Sequence, residues 1–150
     1  MGALIILYGV SEPYPPGYYV SGGILMLLTA IYYKLTYFIA LEIILIAGHG
    51  AVLLGIGPTA QVVLPILLCL QLLFYYVLSG QLKNVFRFIG ILGIGFLSIA
   101  FLYQNPWIFF FGSLGIAVFS FYQVYRGRHI ALLWALLNLI FVFISVYKIL

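Results

Sequence analysis

The chain has 150 residues, of which 67% are hydrophobic and 5% charged. Soluble domains carry about 25% charged residues, so a water-covered globular fold is excluded and lipid is the solvent for most of the chain. The net charge of +4 comes from Lys34, Lys83, Arg87, Arg126, Arg128 and Lys148 against Glu12 and Glu42; cations scattered singly at segment ends are topology signals, not a nucleic-acid surface.

Spanning barrel strands alternate apolar and polar residues, whereas residues 38–52 and 85–102 are apolar nearly all round. The expected fold class is therefore all-α, a polytopic transmembrane helix bundle formed by one domain over residues 1–150. Residues 1–17 are expected to lie in the membrane interface or to extend the first helix across the prolines at 13–16. Met1–Val10 is too short to span and lacks the basic start and cleavage site of a signal peptide. Spanning takes about 20 apolar residues, and the breaks mark about six spans, at 18–33, 35–55, 61–79, 85–103, 107–125 and 130–147. Gly55-Ile56-Gly57-Pro58 and Gln104-Asn105-Pro106 end in prolines suited to a helix start. Ser79-Gly80-Gln81 and Arg126-Gly127-Arg128 place a glycine past a helix end. The first segment is short, holds Gly22-Gly23, and is parted from the second by Lys34 alone.

Lys34, then Lys83 and Arg87, then Arg126 and Arg128 fall in the first, third and fifth connections, and none falls in the second or fourth. The positive-inside rule makes that side cytoplasmic and puts both termini outside, with Lys148 the exception. Small residues let helices approach in lipid; Ala47, Ala51 and Gly55 repeat at spacing four, as do Ser113 and Ala117, and Gly90, Gly93 and Gly95 thin the fourth segment. Tyrosines cluster near segment ends, as aromatic belts require. A shift of 67 residues sets Leu70-Gln71-Leu72 and Phe74 on Leu137-Asn138-Leu139 and Phe141, and a shift of 47 sets Phe74-Tyr75 on Phe121-Tyr122. Either would make an internal repeat, and two tandem three-helix units would be inverted relative to each other.

Chemistry is confined to a few residues. Glu42 is the only acid inside an expected span, where an ionisable group costs about 2.5–3.5 kcal/mol. His49 follows two turns later on the same face, about 10 Å along the axis. Gln71 and Asn138 are the deep amides, which either hold helices together or bind a polar solute. Ser98, Ser120 and Ser145 are lighter polar groups. The chain has no Asp, no carboxylate pair and no His/Cys cluster with metal spacing. No catalytic residue, metal site or cofactor is therefore expected, and the protein does not read as an enzyme. The single Cys69 forms no intrachain disulfide and reads as packing.

The last third carries Gln104-Asn105-Pro106-Trp107, Phe111-Gly112-Ser113-Leu114-Gly115 and Leu136-Leu137-Asn138-Leu139-Ile140-Phe141. It resembles a helix pair of the PnuC-type vitamin transporters, which are related in architecture to SWEET sugar transporters. The resemblance covers roughly residues 104–147. It implies three-helix bundles around a central solute path, with Asn138 and Trp107 touching the solute. The chain is shorter than those proteins and lacks the linker helix that keeps their halves parallel.

The function expected from these residues is transport. An inner-membrane, multi-pass protein would move a small solute or ion, proton-coupled through Glu42, with His49, Gln71, Asn138 and Trp107 on the path. The rival expectation is a non-catalytic structural or assembly subunit of a membrane complex; a third is an accessory that positions a lipid or quinone. The expected partners are the bilayer, a small solute or ion, and a second copy or a larger complex, with no nucleic acid.

Overall fold

Prolines and glycines punctuate an otherwise unbroken apolar chain, and the helices start and stop on them. The computed structural model describes residues 1–103 and 105–150. Its elements are α1 (Gly2–Gly9), α2 (Pro16–Tyr32), α3 (Thr36–Leu53), α4 (Pro58–Leu78), α5 (Val85–Tyr103), α6 (Pro106–Tyr125) and α7 (Leu132–Ile149), with 3-10 turns at Gln81–Lys83 and His129–Ala131. No strand occurs among the described residues. Gln104, the first residue of the expected Gln104-Asn105-Pro106 turn, lies outside them.

Pro16, Pro58 and Pro106 open α2, α4 and α6, where a missing N–H has no cost. Asn105 caps α6: its side-chain oxygen accepts the N–H groups of Trp107 at 2.9 Å and Ile108 at 3.4 Å. At the other ends the chain turns left-handed, at Gly55 (φ +64°), Gly127 (φ +85°) and, without a glycine, at Lys34 (φ +53°). The Leu35 N–H then reaches back to the Ala30 carbonyl at 2.9 Å, closing α2. The break that only Lys34 marked in the sequence is therefore made by Lys34 itself.

All six expected segments are helices. Four stretches, Thr36–Leu53, Pro58–Leu78, Pro106–Tyr125 and His129–Ile149, are long and apolar enough to cross a membrane. α2, at 17 residues, and the apolar stretch Val85–Phe101 of α5 are shorter. Residues 1–15 do not extend α2 across the prolines. They form α1 and a turn that folds it back on α2.

The chain divides into two compact units, Met1–Leu67 and Leu68–Leu150, with the boundary inside α4. In the first, α1 runs antiparallel along α2. Gly2 lies against Gly22 and Met26, Gly9 lies against Tyr18, and the Tyr8 and Tyr18 rings meet edge-on at 5.4 Å. α3 then returns along α2 over a core that includes Met26, Ala30, Phe38, Leu41 and Ile44. Gly48 of α3 lies against Pro65 of α4.

In the second unit, the end of α4 packs on α5. Cys69 Sγ lies 3.8 Å from the Ile91 carbonyl, and the Arg87 guanidinium sits 4.9 Å over the Tyr76 ring. α5 and α6 approach backbone to backbone. A Cβ built on Gly93 would stand 2.8 Å from Ile116 N and 2.9 Å from Gly112 O. α7 completes the unit, and Phe109 of α6 meets Phe101 of α5 at 4.9 Å and Phe141 of α7 at 5.3 Å.

One glycine in each unit stands at a helix crossing, Gly23 against side chains and Gly93 against backbone. In the first, Gly23 faces Ile46 and residue 42; in the second, Gly93 faces Ile116 and residue 112. Every member of the second set lies 70 positions after its counterpart, as do Leu97 after Leu27 and Ala100 after Ala30. Ala30 and Ala100 are both fully buried. This spacing is neither the 67 nor the 47 that letter matching offered.

Candidate functional site

Seven residues are two turns of helix, so Glu42 and His49 leave α3 from one face, and that face packs against α2. Tyr19 and Gly23, one turn apart on α2, receive them. The Tyr19 and His49 ring centroids are 4.7 Å apart. A Cβ on Gly23 would lie 3.4 Å from Glu42 Oε2 and 3.0 Å from Ile46 Cγ1. The tight neighbour at Gly23 is the Ile46 side chain, while the Glu42 carboxyl stands at ordinary contact distance beside it. Glu42 is 3% exposed and His49 7%. An acid, an imidazole and a phenol are thus gathered on one helix–helix seam.

Glu12, the other acid, belongs to the turn after α1. Its carboxylate accepts a hydrogen bond from the Tyr8 hydroxyl, and that bond, then its charge, raises the Tyr8 pKa above the ordinary tyrosine range. Glu42 is left as the one carboxyl inside a helix able to span.

No known protein family, curated protein or solved structure matches the chain.

The other expected site residues belong to the second unit, and they part company. Asn138 is 3% exposed on α7, and its amide N–H donates to the Trp134 carbonyl at 2.9 Å. Gln71 points outward from α4 and is exposed. Trp107, in the first turn of α6, is 56% exposed. Gln71 and Trp107 therefore do not line the interior of their unit with Asn138. Trp107 has the exposure and the helix-end position of a belt residue.

Three polar features escaped the sequence reading. Gln123 is buried on α6 at 5% exposure, although its letter sits near a segment end. Asn84, in the connection before α5, donates to the Tyr122 hydroxyl at 2.6 Å, while Phe86 stacks on the same ring at 4.5 Å. Ser113, which reads as a small packing residue, is a fully buried hydroxyl whose oxygen has no hydrogen-bond partner. Spacing to Ala117 explained its size and hid its chemistry.

Proposed function

We propose that the chain is a six-span inner-membrane protein that moves a small solute or ion, with Glu42 as its proton- or cation-sensitive group. The observation that carries this reading is the burial of Glu42 on the α2–α3 seam, beside the α2 backbone at Gly23 and two turns from His49 and Tyr19. Ionisable groups at membrane depth mark ion and proton pathways. The 70-residue recurrence of the Gly23 and Gly93 crossings supports a duplicated three-helix unit. An odd number of spans per unit makes the second copy inverted, the arrangement common among secondary transporters.

Proteoliposomes loaded with a pH-sensitive dye test the reading. Under an imposed potassium diffusion potential, native protein should acidify or alkalinise the lumen at least tenfold faster than Glu42→Gln. Equal rates in native protein, Glu42→Gln and Asn138→Ala would remove the basis for it.

Gln71 favours a second reading. An exposed amide in the middle of an apolar helix is best satisfied by another chain, as expected of an assembly subunit. Gentle solubilisation separates the two: a subunit elutes with its complex, and Gln71→Leu releases it.

A further inference from the structure

Serines buried in helices can donate to the carbonyl four residues back. Ser98, Ser120 and Ser145 do so, to Ile94 at 2.8 Å, Ile116 at 2.7 Å and Phe141 at 2.8 Å. Ser113 does not. It is 0% exposed, and its Oγ has no hydrogen-bond partner. Asn138 commits its amide N–H to Trp134, which leaves its buried Oδ1 unpartnered as well. Among the described residues, these are the two buried side-chain oxygens in that condition.

Both stand on the α6–α7 pair, and helical rise sets them at a similar level. α6 and α7 run antiparallel, and the Phe109–Phe141 ring contact fixes their register. Ser113 is four residues after Phe109, about 6 Å along α6, and Asn138 is three residues before Phe141, about 4.5 Å in the same direction along α7. Both lie about one turn from the ring contact, on the same side of it. Ser113 can donate and accept; Asn138 Oδ1 can only accept.

The charge of the occupant is also constrained. Residues 68–150 contain no Asp or Glu, so a cation would have no counter-charge in this unit. Arg126 and Arg128 are exposed, and an anion at this depth would have no buried partner. We propose that Ser113 and Asn138 form a binding site on the α6–α7 seam for a small neutral molecule bearing an O–H group. The molecule donates to Asn138 Oδ1 and accepts from the Ser113 hydroxyl, with the Phe109 and Phe141 rings closing one side. Water and a short polyol share this chemistry. The site stands on α6 and α7 alone and does not depend on transport.

Thermal unfolding of the full chain in nanodiscs tests it, with Ser120→Ala as the reference because that hydroxyl is already bonded within its own helix. Ser113→Ala should lower the midpoint by several degrees, clearly more than Ser120→Ala. The Ser113→Ala/Asn138→Leu double variant should lose less than the sum of its parts, because both groups hold one molecule. Glycerol distinguishes the occupants. A rise larger in native protein than in Ser113→Ala identifies a polyol; an equal rise is the general effect of glycerol, and the site is then assigned to water by the Ser113→Ala loss and the non-additive double variant. Oxygens that were merely unsatisfied would be better removed. A Ser113→Ala midpoint equal to or above native, or strictly additive losses, overturns the proposal. Should Asn138→Leu fail to fold, the Ser113 and Ser120 comparison decides alone.

Discussion

Glu42 is buried where α3 packs on α2, with Gly23 at contact distance from its carboxyl. If the carboxyl is seated by packing and hydrogen bonding, its neutral isostere should fit the same space. Glu42→Gln is expected to keep the thermal midpoint within a few degrees while the flux assay loses its signal; unfolding of this variant would assign Glu42 to structure alone. Backbone geometry gives a second prediction. A Cβ on Gly55 meets nothing within 4 Å, but its φ of +64° is left-handed. Gly55→Ala should therefore cost about 1–2 kcal/mol through the backbone alone, read as a lower midpoint with unchanged helix content. Lys34→Gly should move the midpoint the opposite way. At this scale the sequence was half legible. The shared face of Glu42 and His49 follows from a spacing of seven, but nothing in an apolar string says that α2 is the helix that receives it. Gln71 and Asn138 look alike for the same reason: each is one amide in a greasy run, and only the helix neighbours decide which is buried.

Between helices, the decisive residues are those whose missing side chains allow contact. Gly93 and Gly95 are two letters apart and look equivalent, yet they face different neighbours. A Cβ on Gly93 would press on the backbone of α6, at Ile116 N, Gly112 O and Gly115 C, whereas one on Gly95 would make an ordinary 3.6 Å contact with Cys69 Sγ. Backbone cannot swing aside as a side chain does. Gly93→Ala should cost about 1–3 kcal/mol, the range for forced overpacking, while Gly95→Ala should be neutral or gain about 0.5–1 kcal/mol from helix propensity. Denaturant titration of the two variants in one detergent reads the contrast, and equal losses would contradict the α5–α6 crossing described above. Asn105→Ala, which removes the cap of α6, should cost about 1 kcal/mol. The helices themselves were legible because proline, asparagine and glycine act locally. The crossings were not, because Gly90, Gly93 and Gly95 offer three candidate faces and only packing chooses one.

For the whole molecule, the open quantity is the number of crossings, and charge and length bear on it together. Four stretches meet the length and hydropathy of a span without help. At a rise of 1.5 Å per residue, the 17 residues of α2 and 19 of α5 reach about 25–28 Å, close to the roughly 30 Å of a hydrocarbon core and within the accepted range of 17–25 residues. If both cross, Lys34, Lys83, Arg87, Arg126 and Arg128 all face one compartment. If neither crosses, Arg126 and Arg128 move to the opposite side from the other three. That three-to-two split has no directional force, whereas five on one side does. The two arrangements differ at one accessible place. With α5 crossing, Asn105 and Gly80 face opposite compartments; without it, they face the same one. Single cysteines introduced at positions 80, 105 and 127 in a Cys69→Ala background, probed with a membrane-impermeant maleimide on intact cells, make the distinction. Six crossings require label at position 105 and none at 80 or 127 until the cells are opened. Label that treats 105 and 80 alike would leave α5 on one side of the membrane, and with it the inverted pairing of the two 70-residue-related crossings would fail.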